Sequence, residues 1–144
     1  MRTYEWAEDA QLVNGAQKLC DDLSKFCRLT IVTNGISKTQ RRRFGKSTIK
    51  KDFAALFISG DIGFQKPQTE LFDYVFNSLH ISDKSRVLMV GDNLATDILG
   101  GIHAGIDTCW FNHNEAVNET KIKVNFEIQS LSELRKIVFP EPIR

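Results

Sequence analysis

The sequence lacks several features that would point to particular classes of protein. It has three cysteines, Cys20, Cys27 and Cys109, an odd number with no C-x-x-C pair. They read as reduced, mostly buried thiols rather than a disulfide framework. It has no surplus of either charge. Nineteen basic against eighteen acidic side chains leave a formal charge of +1, so overall charge points to neither nucleic acid nor a membrane surface. It has no apolar run of transmembrane length, and Met1-Arg2-Thr3-Tyr4-Glu5-Trp6 lacks the apolar stretch of a secretion signal. The expectation is a cytoplasmic protein without nucleic-acid or membrane partners. Asn118-Glu119-Thr120 matches a glycosylation acceptor, but without a secretion signal it carries no weight. His80, His103 and His113 have no spacing that would build a metal site. There is no internal repeat and no low-complexity stretch.

What is present reads as one ordinary globular domain over residues 1–144, with 42% hydrophobic and 26% charged residues. Residues 1–9 are polar and aromatic without a period and read as a tail. Over 11–26 the apolar positions Leu12, Ala16, Leu19, Cys20, Leu23 and Phe26 share one helical face. Short apolar runs at 29–32, 56–59, 87–90 and 108–111 read as buried strands, with an edge strand at 125–128. Between them fall helices: a basic one over 37–49, interrupted by Gly45, and one after Pro67, with Leu71, Phe72, Val75, Phe76 and Leu79 inward. Another opens near Asn93 with Leu94, Ile98, Leu99 and Ile102 in period. Ser130 and Glu133 form a capping box for a last helix ending near Val138. Trp6 and Trp110 read as core or interface area. Strands alternating with helices predict a parallel sheet in a doubly wound α/β sandwich.

Candidate chemistry collects where strands end. Val87-Leu88-Met89-Val90 runs into Gly91-Asp92, and Asp97 follows in the next helix. That puts two carboxylates in the crevice where open α/β sheets hold ligands. They suit a hard cation such as Mg²⁺, or alternatively a helix cap and a turn. Thr33-Asn34-Gly35 ends the strand at 29–32 and either closes a turn or offers a hydroxyl and N–H groups to an anion. Lys66 lies on a loop stiffened by Pro67 and is either a solvated surface charge, as lone lysines usually are, or a cation that could reach a phosphate. Gly45-Lys46-Ser47 looks like the end of a P-loop, but Gln40 stands where that motif requires glycine. The basic run Lys38, Arg41, Arg42, Arg43, Lys46, Lys50 and Lys51 would suit a nucleic-acid contact, but no aromatic platform is interleaved beyond Phe44 and Phe53, and a solvated helix face is the preferred reading. On a parallel sheet Thr33, Lys66, Asp92 and Asp97 would converge, a set suited to a phosphate ester with Mg²⁺.

Ile31-Val32-Thr33-Asn34-Gly35, Gly63-Phe64-Gln65-Lys66-Pro67 and Gly91-Asp92-Asn93-Leu94-Ala95-Thr96-Asp97-Ile98 resemble motifs II, III and IV of the haloacid dehalogenase (HAD) superfamily, in order. The wording at 85–92 and 97–102 is similar to the bacterial nucleoside-5'-monophosphate phosphatases. The resemblance implies the Rossmann-like HAD core and hydrolysis of phosphate monoesters through an aspartyl-phosphate. It implies Thr33, helped by Asn34, on the phosphoryl oxygens, and Lys66 neutralising phosphate and nucleophile. It also implies Mg²⁺ on Asp92, with Asp97 supporting the metal directly or from behind. Electrostatic stabilisation of the transferring group would supply most of the catalysis.

One departure is large. The superfamily begins with a strand ending in Asp-x-Asp, whose first aspartate is the nucleophile, and no D-x-D occurs in this sequence. The helical cap that usually follows that strand is absent too. The expectation is therefore the back half of such an enzyme, lacking the first, central strand and the cap, and inactive or nearly so by itself. The alternative is a non-catalytic remnant that binds phosphate or a partner. A sheet without its central strand would show unpaired inner edges, inviting closure, a partner segment, or strand exchange in a homodimer. A response-regulator receiver also groups Asp, Thr and Lys-Pro, but in a different chain order.

Overall fold

Six short segments form one wholly parallel sheet in the computed structural model, which describes residues 2–4 and 15–139. The strands are β1 (Arg2–Tyr4), β2 (Leu29–Thr33), β3 (Phe53–Ile58), β4 (Leu88–Gly91), β5 (Asp107–Phe111) and β6 (Phe126–Ile128), in the order β3-β2-β1-β4-β5-β6. Every residue of β2 and β4 is buried, as expected of strands covered on both faces. Helix α1 (Ala16–Leu23) and α6 (Leu134–Val138) lie on one face, where Leu19, Leu23 and Leu134 meet Leu88 and Val90. Helix α4 (Thr69–Ser78) and α5 (Leu99–Ala104) cover the other, where Phe72, Phe76 and Ala104 meet Val87 and Met89. Alternate residues of one strand thus feed two cores. Two further helices, α2 (Ser37–Gly45) and the single turn α3 (Ser59–Ile62), follow β2 and β3. This is the expected doubly wound α/β sandwich.

The central position is where the structure corrects the sequence reading. A sheet lacking its central strand was expected, with residues 1–9 as a tail. Instead Arg2–Tyr4 occupies that slot, Arg2 and Thr3 aligned with Leu29 and Thr30 on one side, and Arg2, Thr3 and Tyr4 with Leu88, Met89 and Val90 on the other. The physical reason is that β2 and β4 each present a row of backbone donors and acceptors that must be paired when buried. Three extended residues of the same chain supply those partners.

Smaller differences follow from packing. The basic helix ends at Gly45 rather than near Ile49, because glycine is a poor interior helix former and Ile49 turns fully into the α1 core. Helix α1 stops at Leu23, so Phe26 is 74% exposed and meets Phe139 edge-on. Leu12 and Trp6 lie outside the described residues. Strand β3 starts at Phe53, earlier than expected. Ile102 is exposed rather than inward. The capping box of Ser130 and Glu133 forms as expected.

Candidate phosphate and metal site

The carboxyl ends of the parallel strands share one edge, and the register fixes who stands there. Thr30, Thr3 and Met89 are aligned across β2, β1 and β4. Three residues further on, Thr33 and Asp92 are therefore level with each other, two strand spacings or about 10 Å apart. Thr33 is buried at the end of β2, and its hydroxyl donates to the Asn34 carbonyl oxygen at 3.2 Å.

Lys66 comes to this edge from the loop before α4. Its ammonium is wholly buried and lies 2.5 Å from Oδ1 of Asp97, itself wholly buried. Asn34 holds the loop: its Oδ1 accepts from the Lys66 N–H at 2.8 Å, and its Nδ2 donates to the Lys66 carbonyl oxygen at 3.2 Å. Such a two-way amide clamp fixes the lysine backbone much as a strand partner would. The Asn34 side chain, expected on the phosphate, is thus spent on positioning Lys66.

The loop after β4 separates its two carboxylates. Asn93 Oδ1 accepts from the N–H groups of Ala95 and Thr96, a side-chain cap on the turn that follows. That turn is a single wide π-helical one, Leu94–Ile98, in which Asp97 and Ile98 both donate to the Asn93 carbonyl oxygen. It returns Asp97 beneath the strand end, where Oδ2 accepts from the Asn93 N–H at 3.2 Å. Gly91 is required here, since a Cβ would overlap the Asp97 carboxylate. Asp92, in contrast, is exposed. Its carboxyl is pushed above the usual carboxylate range by the protein packed around it and then by the Asp97 charge. The Trp110 indole N–H donates to the Asp92 carbonyl oxygen at 3.0 Å and fixes its backbone.

The four expected residues therefore do converge, with different standings. Thr33, buried, and Asp92, exposed, stand at the carboxyl edge of the sheet, while Lys66 and Asp97 form a wholly buried pair. Asp97 faces Lys66 rather than solvent. Among the described residues there is no group of three or more His, Cys, Asp or Glu able to hold a metal. A Mg²⁺ ion would have Asp92 as its one exposed carboxylate here, with phosphate and water as its other ligands. From sequence Gly91 is legible as a sharp turn after the strand, though not as the space for Asp97. The roles of Asn93 and Trp110 were missed; Asn93 was legible as an Asx cap directly after a strand, while the contact made by Trp110 carries no local signal.

Comparison with known proteins fits this geometry. The haloacid dehalogenase-like hydrolase family matches residues 2–111. The chain belongs to that family. The HAD-hydrolase YfnB of Bacillus subtilis is 42% identical over 131 residues, 91% of this chain and 56% of YfnB. The pyrimidine 5'-nucleotidase YjjG of Escherichia coli is 36% identical over 132 residues, 92% of this chain and 59% of YjjG. The crystal structure of YfnB bound to magnesium superposes with a TM-score of 0.87, covering 90% of this chain and 57% of that one. The chain thus spans a little over half the length of these HAD relatives. No helix among its described residues is long and apolar enough to cross a membrane.

Proposed function

We propose that this chain is the phosphate-holding core of a Mg²⁺-dependent hydrolase of phosphate monoesters, with nucleoside 5'-monophosphates as the substrate class. The observation that carries the reading is the buried Lys66–Asp97 pair, clamped through Asn34 behind a strand edge that bears Thr33 and Asp92. The similarity to a pyrimidine 5'-nucleotidase supports the substrate class, and magnesium in the related YfnB structure supports the cation. The cytoplasm is the compartment that suits such a substrate.

In this reading the Thr33 hydroxyl turns from the Asn34 carbonyl to donate to a phosphoryl oxygen. Lys66 offsets phosphate charge from the wall of the site, where low dielectric makes a fixed cation count for more than in water. Asp97 and Asn34 act through Lys66, setting its head and its backbone, and Asp92 would hold the Mg²⁺. The cation, when bound, would supply charge neutralisation on the phosphoryl oxygens.

A second reading, phosphate binding without turnover, is favoured by one observation: the sequence has no D-x-D to supply the family's aspartate nucleophile. One experiment separates the two. Uridine 5'-monophosphate is incubated with the chain and Mg²⁺; released phosphate is measured, and binding is followed by calorimetry. Turnover abolished by Lys66→Ala supports the hydrolase. Binding without turnover supports the second reading, and neither binding nor turnover refutes both.

A further inference from the structure

The near-zero net charge conceals a strong separation. Residues 37–51 hold seven of the nineteen basic side chains and none of the eighteen acidic ones, so twelve basic face eighteen acidic side chains over the rest. Three of the seven are already engaged: Arg41 with Asp61, Lys51 with Asp21 and Asp52, and Lys50 with the Gly45 carbonyl oxygen. Lys38, Arg42, Arg43 and Lys46 have no acidic partner among the described residues, and all but the half-buried Arg43 are exposed.

Lys38, Arg42 and Arg43 lie on α2 and Lys46 is the residue that caps its end, and their placement is regular. At about 100° per residue, Lys38, Arg42, Lys46 and Arg43 fall within an arc of about 140°, and Lys38, Arg42 and Lys46 follow each other at about 6 Å along the axis. Gln40 and Phe44 lie on the opposite side and hold the helix to the protein. Gln40 donates to the Asn34 carbonyl oxygen, and Phe44 packs edge-on against Phe53. The helix has no buried residue and no other apolar side chain.

We infer that this face of α2 docks the phosphate backbone of double-stranded nucleic acid, independently of sequence. Overall charge and the missing aromatic platform favoured a solvated face over nucleic acid; the separation of charge in space favours a duplex, which needs no such platform. The chemistry of the face selects the partner. A protein interface needs an apolar centre and a membrane-surface helix an apolar face, and α2 presents neither. A single strand needs aromatic platforms for its bases, and Phe44 is turned onto Phe53. Regularly spaced cations alone match a regularly spaced row of phosphates. The acidic remainder of the surface would orient the approach.

The test is fluorescence anisotropy of a labelled 20-base-pair duplex titrated with the chain from 50 to 200 mM KCl. Four phosphate contacts predict a fall in affinity of about a hundredfold over that range. In R42Q/R43Q/K46Q, which keeps good helix formers, the fall shrinks to about threefold, and binding at 50 mM KCl weakens at least tenfold. K121Q/K123Q, which removes two cations from the loop before β6, changes neither. Circular dichroism confirms that each variant is folded. No duplex binding at 50 mM KCl overturns the inference, as does a triple variant that binds like the parent. Capture by vesicles containing phosphatidylserine, without duplex binding, also overturns it and assigns the face to lipid.

Discussion

Asp97→Asn is the substitution that most sharply probes the site's architecture. The Lys66 ammonium and Asp97 carboxylate are both wholly buried, so removing one charge strands the other in a medium that cannot solvate it. Breaking a buried pair in this way costs about 3–5 kcal/mol, a large share of the roughly 5–15 kcal/mol that holds a domain together. Asparagine keeps the volume, and its side-chain oxygen still accepts from the Asn93 N–H, so the cap of the wide turn survives and the loss reports charge. Lys66→Met is the reciprocal change, retaining the buried stem. The double variant leaves no stranded charge and is expected to be more stable than the two single losses added together, by about 2–3 kcal/mol of coupling. The assay is urea unfolding followed by far-ultraviolet circular dichroism. With a slope of about 1–3 kcal/mol per molar, each single change moves the midpoint by about 2 M. The exposed pair Lys51–Asp21, at 2.8 Å, is the control, and Asp21→Asn leaves the midpoint essentially unmoved. Single losses below about 1 kcal/mol, or strict additivity, would refute a desolvated pair.

Asn34→Ala removes both side-chain bonds to the Lys66 backbone; it should cost about 1–3 kcal/mol and weaken phosphate binding in calorimetry more than it weakens folding. Glu133 accepts the N–H groups of Ser130 and Gln129, which hold its carboxyl below the usual glutamate range. Its contribution to stability is complete above that range and lost as the pH falls through its lowered value; Glu133→Gln should flatten the acid side of a melting-temperature profile, and an unchanged profile would refute the cap's role. Burial, with help from the Asp52 and Asp21 charges, pushes the Cys20 thiol up to about 12, and burial beside Glu133 does the same for Cys109. Both should resist Ellman's reagent in the folded chain at pH 8 while the half-buried Cys27 reacts first.

Most of the sheet was legible because buried parallel strands announce themselves as unbroken apolar runs. The runs at β2, β4 and β5 lie within a residue or two of where the sequence put them. The strand β1 was not legible. Arg2-Thr3-Tyr4 carries no apolar run, and its conformation is imposed by the unpaired backbones of β2 and β4 on either side. The site divides in the same way. Thr33, Lys66, Asp92 and Asp97 could be brought together from topology alone, since parallel strands end on one edge. The task of Asn34 could not, because its two bonds cross to a residue thirty-two positions away, and no local pattern encodes that distance.

The difference between Asp92 and Asp97 shows how a short sequence interval becomes a division of labour. Five residues on a regular helix would put Asp97 about 500° round from Asp92, pointing into neither crevice nor core by necessity. The wide turn changes this: one carbonyl, that of Asn93, receives both Asp97 and Ile98, and the extra residue swings Asp97 back under the strand end. Space for it exists only because residue 91 is glycine. Two further glycines keep the following helix close: a Cβ at Gly100 would come within 2.7 Å of the Phe72 ring and one at Gly101 within 2.7 Å of Thr108 Cγ2. With α5 pressed onto the sheet, Asp97 has no route to solvent and must find a cation inside the protein, which is Lys66. Asp92, at the mouth of the same turn, stays exposed and, in the function proposed above, is the carboxylate that would meet a cation from outside.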